Sequence, residues 1–250
     1  VAAAGLLLGS ALLLEAAVFC VRRLSRLSEA LQRTPGAARE EAPTGGARLS
    51  GLAHALKSPY LINVSLFLLL FAITSTFLYF QQAEIAKTYF ADRGARTAFF
   101  ASVDLWVNVL TLGAQLFVTG RTIKWLGVGL TLAILPFLSI AGFATLAWLP
   151  TIGALVTIQV TRRAANFAFA RPSREVLFTV VPREDKYKAK SFIDTVVYRL
   201  GDQAGAWSYA GLGLLGLGMT GVSIVAVPLS ILWLVNGLWL GRKQRALELK

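Results

Sequence analysis

The sequence predicts an all-α polytopic membrane protein with seven transmembrane helices, one helix followed by a six-helix half bundle. Three observations predict it. Of 250 residues, 56% are hydrophobic and only 15% are charged, where soluble domains carry about 25% charged residues. The apolar residues fall in long uninterrupted runs, and most of the Lys and Arg lie between the runs. With a mean hydropathy of +0.62, this composition excludes a disordered chain or a disulfide scaffold and leaves little room for a soluble enzyme.

A hydrocarbon core about 30 Å thick takes roughly 20 apolar residues per helix. The runs at 1–21, 60–80, 97–119, 126–148, 151–170, 192–215 and 219–240 meet that length. Barrel strands do not fit, because the runs far exceed ~10 residues and do not alternate. The organisation is therefore a helix at 1–21, a linker at 22–58 and a six-helix bundle at 59–250. The linker holds Thr34-Pro35-Gly36 and Thr44-Gly45-Gly46, a flexible connector, after a basic stretch able to form a short amphipathic helix. Residues 1–21 do not read as a signal peptide, since Arg22, Arg23 and Arg26 follow the apolar run instead of preceding it. A chain that opens with Val1 inside apolar sequence reads as the remainder of a longer one.

Charge placement sets the orientation. Segments 22–58, 120–125, 171–191 and 241–250 hold 19 of the 25 Lys and Arg, whereas the alternate loop 81–96 holds 3. The positive-inside rule puts the first set on the cytoplasmic side, with the amino end outside and the carboxyl end inside. The net charge of +12 thus belongs to topology, and no nucleic-acid partner is expected. The expected partner is the lipid bilayer.

Intramembrane polarity is costly and points to a cavity or a partner. Runs 126–148 and 219–240 carry no ionisable residue and can face lipid. Run 97–119 places Asp104, Asn108, Thr111 and Gln115 on one helical stripe. Run 151–170 carries Gln159, Arg162, Arg163 and Asn166; run 192–215 carries Asp194, Tyr198, Arg199 and Asp202; run 60–80 is hydroxyl-rich, with Thr74, Ser75 and Thr76. At 1.5 Å per residue, Arg162 and Asp202 reach a similar depth near the midplane. A polar cavity lined by these four helices is expected, with Asp104, Asn108, Gln115, Gln159, Arg162, Arg163, Asn166, Arg199 and Asp202 along the solute pathway. One of the two arginines is expected to pair with Asp202, leaving the other for an anion. The competing reading is that these charges only pair with one another and hold the bundle together.

Other signals are weaker. Gly211, Gly213 and Gly216 spell GxGxxG but lie at the end of an apolar helix, where helix packing through small residues is the simpler reading. Gly201 and Gly205 form a second small-residue contact pattern. Pro136 and Pro228 read as kinks. One histidine (His54) and one cysteine (Cys20) make neither a metal site nor a disulfide, so no cofactor is expected. No Ser/His/Asp, Cys/His or phosphate-loop arrangement supports an enzyme.

One helix, a long basic linker and six helices with every third one apolar resemble the second half of a major facilitator transporter. The turn Gly120-Arg-Thr-Ile-Lys-Trp-Leu-Gly127 looks like the loop between the second and third helices of each half. The block Arg171-Pro-Ser-Arg174-Glu175-Val-Leu-Phe, Arg183-Glu-Asp-Lys186-Tyr-Lys188-Ala-Lys190 and Asp194-Thr-Val-Val-Tyr-Arg199-Leu-Gly-Asp202 is similar to the ATP/ADP translocase family and its bacterial relatives. Lys188-Ala-Lys190 and Asp194 fit that family's pattern; Asp202 stands where it has a lysine. The resemblance implies a secondary active transporter of the bacterial inner membrane, an antiporter of a small anionic or nucleotide-like solute working by alternating access. It places Arg171, Arg174, Glu175, Lys188, Lys190 and Asp194 at the cytoplasmic gate and implies an amino-terminal half or partner subunit. The alternative is a non-transporting, transporter-derived membrane subunit of a larger complex.

Overall fold

A computed structural model describes residues 11–25 and 58–249, with the backbone alone for 183–185. The chain divides into two compact units, Val1–Gly46 and Ala47–Lys250. In the first, residues 11–25 form helix α1, exposed throughout. The remainder of the linker, with its proposed amphipathic helix and His54, lies outside the described residues.

The second unit is helical, with no strand among the described residues. Its elements are α2 (Pro59–Tyr89), α3 (Arg93–Phe117), α4 (Thr119–Trp148), α5 (Ile152–Ala165), a π-helical segment at Asn166–Ala170, α6 (Arg171–Leu177), α7 (Arg183–Phe192), a second π-helical segment at Ile193–Val197, α8 (Tyr198–Leu214) and α9 (Met219–Glu248). The helix starts follow local chemistry. Ser58 caps α2 by accepting from the Tyr60 N–H, with Pro59 in the first turn where no amide donor is needed. Asp92 caps α3 through the Ala95 N–H at 2.9 Å, and Thr151 caps α5 through the Ala154 N–H at 3.3 Å. At the far end of α8, the Leu217 N–H reaches the Leu212 carbonyl and the Gly216 N–H reaches Gly213, with Gly216 at φ +76°. This is a left-handed helix stop that favours glycine.

Four helices, α2, α3, α4 and α9, are long and apolar enough to cross a membrane. The protein is a multi-pass membrane protein, helical throughout its regular structure among the described residues. Three sequence expectations need correction. Segment 81–96 is not a loop: α2 runs to Tyr89 and α3 starts at Arg93. Segments 151–170 and 192–215 are not uniform α-helices, since each contains a π-helical stretch. The basic segment 171–191 is mostly helix, with a short break after Leu177. In α4 the non-helical residue is Gly127 (φ 73°, ψ 172°), nine residues before Pro136.

Lipid tails are as apolar as leucine, so helices in a bilayer associate through close packing more than through burial of oil from water. Glycine provides that closeness. A Cβ on Gly201 would lie 2.6 Å from the Ala72 Cβ, and one on Gly205 would lie 2.9 Å from the Thr76 Cβ, so α8 rests directly on α2. A Cβ on Gly241 would lie 2.0 Å from the Gly129 Cα, which brings the backbones of α4 and α9 into contact. The contact expected at Gly201 and Gly205 is present. Gly211, Gly213 and Gly216 have nothing within 4 Å of a Cβ among the described residues; these glycines make no close helix contact, and the motif terminates α8. Phe67, Phe71 and Trp233 fill the centre, their rings 5.3 to 5.9 Å apart across α2 and α9.

Candidate functional site

α5 organises the site. Gln159, Arg162, Arg163 and Asn166 follow one another at i, i+3, i+4 and i+7, so they share a face. That face looks onto a cavity of about 520 Å³. Its wall is shared by α2 (Phe71, Ser75, Thr76, Tyr79, Gln82), α3 (Phe100, Asp104), α5 with the π-helical turn after it, and α8 (Tyr198, Asp202).

Arg162 is 3% exposed, and no carboxylate lies within ion-pair distance among the described residues. Hydroxyls hold it instead. Its Nε donates to Ser139 Oγ (2.8 Å), Nη1 to Ser75 Oγ (3.1 Å) and Nη2 to Thr74 Oγ1 (2.8 Å). Those hydroxyls donate in turn to the carbonyls of Leu135, Phe71 and Leu70. The guanidinium also lies 5.6 Å from the Phe71 ring and 5.8 Å from the Trp233 ring. One cation thereby joins α2, α4, α5 and α9 and keeps its full charge.

Arg163, one residue on, behaves differently. It pairs with Asp104 at 2.6 Å, both side chains partly exposed to the cavity. Arg171 stacks over Phe167 at 4.7 Å and has no acid partner among the described residues. Asp202 lines the cavity and lies 3.6 Å from Arg199. The lining thus holds three arginines against two aspartates. Within the same lining Gln159 donates to Gln82; away from the cavity, the Tyr209 hydroxyl donates to Glu84 at 2.9 Å.

Six of the expected pathway residues meet here: Asp104, Gln159, Arg162, Arg163, Asn166 and Asp202. Asn108 is exposed and does not line the cavity, Gln115 donates to the Phe167 carbonyl, and Arg199 is 82% exposed beside Asp202 without itself lining the cavity. A shared stripe fixes the direction a side chain takes but not whether the neighbouring helix is close at that depth. The pairing expected of one of the two arginines, Arg162 or Arg163, with Asp202 does not occur. Asp202 takes Arg199, Asp104 takes Arg163, and Asp194 takes Arg174 at 3.7 Å.

Arg171, expected at the gate, lines the cavity. Of the other gate residues, Arg174 pairs with Asp194 and Lys190 with Glu175, ties that connect α6 to the chain beyond the break at 178–182. Lys188 lies half-buried on α7. Sequence reasoning missed Phe100 and Phe167, which give no polar signal. It also missed both π-helical turns. A π turn is an inserted residue without a sequence signature of its own, and such turns concentrate at functional sites. Here one follows the arginine face of α5, and the other immediately precedes Tyr198.

No family model and no solved structure matches the chain. Among curated proteins it is similar to ADP,ATP carrier protein 1 of Chlamydia trachomatis serovar D, 23% identical over 208 residues, covering 74% of this chain and 39% of the carrier. The protein of the same name from Chlamydia pneumoniae is 21% identical over 204 residues, 72% of this chain and 40% of the carrier. The likeness is to nucleotide carriers. That from Chlamydia muridarum is 22% identical over 180 residues, 64% of this chain and 34% of the carrier. The chain spans about two fifths of the length of the curated relatives it matches. Membrane-spanning helices and distant similarity to carriers agree on a transporter-like membrane protein.

Proposed function

We propose that these residues are the carboxyl-terminal half of a secondary active transporter for a small anionic, nucleotide-like solute. The observation that carries this reading is the cationic side of the cavity. Arg162, Arg163 and Arg171 outnumber Asp104 and Asp202, and Arg162 has no carboxylate partner among the described residues. A charge held only by neutral dipoles in a low-dielectric wall leaves a positive field in the space beside it. An anion entering that space gains more there than it would beside a neutralised pair.

In this reading the full complement is seven spans in these residues, the last six forming a bundle of major-facilitator type. An amino-terminal half faces the open side of α3 and α8. The two bundles rock about the cavity in alternating access, and Arg174, Glu175, Lys188, Lys190 and Asp194 form the cytoplasmic gate. Arg163 exchanges Asp104 for the solute's anionic group, and Asp202 balances charge or carries a coupling proton. The setting is a bacterial inner membrane, amino end outside and carboxyl end cytoplasmic. ADP and ATP are the first solutes to test, because the carriers it resembles are named for them.

Uptake of labelled ADP or ATP into proteoliposomes holding the full-length protein tests the reading. Arg163→Gln and Asp202→Asn are each expected to reduce uptake at least tenfold. Normal uptake by both variants would remove these residues from the mechanism. Stable capture in a larger complex, with no anion bound, would favour the non-transporting subunit instead.

A further inference from the structure

Away from the cavity, the crossing of α4 and α9 gathers positive charge. Gly129 and Gly241 put the two backbones in contact, and the Arg245 guanidinium folds over the kink, 3.2 Å from where a Gly127 Cβ would stand. Lys124 precedes that kink by one turn on α4, while Arg242 and Lys243 flank Arg245 on α9; all are exposed. None of the four has an ion pair among the described residues. Glu248, one turn from Arg245, is engaged by Gln244.

Positive-inside topology explains Lys and Arg near this end of the bundle. It does not require them to converge from two helices on one glycine corner, where they repel one another. Below the corner the surface turns apolar. Leu232, Val235 and Trp239 are exposed and fall at i, i+3 and i+7, leading to Arg242 at i+10. Trp125 is 77% exposed beside the kink. Exposed tryptophans at this level mark the headgroup layer. The surface therefore presents cations to a headgroup and an apolar track to acyl chains.

We propose that the α4–α9 corner binds the headgroup of an anionic phospholipid, held by Lys124, Arg242 and Arg245 with its chains along the Leu232–Val235–Trp239 stripe. The apolar track singles out a lipid over a free phosphate. Only the multi-pass membrane character is required, so the site stands whether or not the protein transports.

Native mass spectrometry of the full-length protein, with phosphatidylglycerol or phosphatidylcholine added, tests it. The expected result is a retained phosphatidylglycerol adduct that falls at least fivefold in Lys124→Gln/Arg242→Gln/Arg245→Gln. Arg242→Lys/Arg245→Lys should keep it, as should Lys87→Gln/Arg93→Gln elsewhere on the bundle. Equal retention of phosphatidylcholine by the unmutated protein would overturn the proposal without reference to any variant. Full displacement by millimolar inorganic phosphate would also overturn it, leaving a simple ion site. Unchanged adducts in the triple variant would do the same.

Discussion

Arg162 and Arg163 are neighbours in sequence, yet the first is held by three hydroxyls and the second by one carboxylate, Asp104 at 2.6 Å. The difference divides structural and mobile charge at the same wall. Arg162 is enclosed and ties four helices together; Arg163 is partly exposed and can change partners. Exposed ion pairs contribute only about 0–1 kcal/mol, which makes Asp104 a weak anchor and a replaceable one.

Removing that anchor is expected to raise anion affinity. Asp104→Asn keeps the side chain's shape while freeing the Arg163 guanidinium. The expected outcome is a thermal stability change of no more than about 1 kcal/mol, with ADP or ATP bound more tightly than by the unmutated protein. Isothermal titration on the full-length protein measures the second part. Weaker binding in Asp104→Asn would mean that the carboxylate itself contacts the solute.

At Arg162 the expectation is reversed. Lysine offers no planar fork with which to reach Ser139, Ser75 and Thr74 together. Arg162→Lys is expected to lose at least one charge-assisted hydrogen bond, about 1.5–3 kcal/mol, and to unfold earlier. Arg163→Lys should differ little in stability from the unmutated protein. Equal melting of the two variants would show that the hydroxyl cluster does not anchor the bundle.

The glycines supply a sharper contrast. Gly201→Val places atoms where Ala72 already stands, and Gly205→Val does so at Thr76. Each is expected to cost about 1–3 kcal/mol through overpacking. Gly211→Ala and Gly213→Ala meet open space and should leave melting unchanged or slightly raised, as alanine suits a helix better. Comparable losses at all four sites would contradict the packing assigned to α2 and α8.

Much of this arrangement was legible in the sequence. Apolar runs located α2, α3, α4 and α9, and the face Gln159–Arg162–Arg163–Asn166 followed from helical spacing on α5. The small-residue contact of Gly201 and Gly205 was legible for the same reason. Partner choice was not. One of Arg162 and Arg163 is expected to pair with Asp202, because opposite charges at one depth are the simplest pair; instead three hydroxyls on two other helices solvate Arg162, and sequence gives no account of that convergence. Asn108 and Gln115 share a stripe with Asp104, but α3 meets a neighbour differently at each depth. A kink is expected at Pro136, since proline lacks an amide donor, whereas the non-helical residue in α4 is Gly127, where glycine reaches φ 73°.

Solute protection of a thiol in the cavity tests the central claim most directly. Tyr79 lines the cavity and is 63% exposed, and Leu214 is 91% exposed near the end of α8, away from it. In a Cys20→Ser background, Tyr79→Cys is expected to react with a maleimide several-fold more slowly when ADP or ATP is present, while Leu214→Cys reacts at an unchanged rate. Equal labelling of Tyr79→Cys with and without solute, in protein that demonstrably transports it, would place the solute pathway elsewhere.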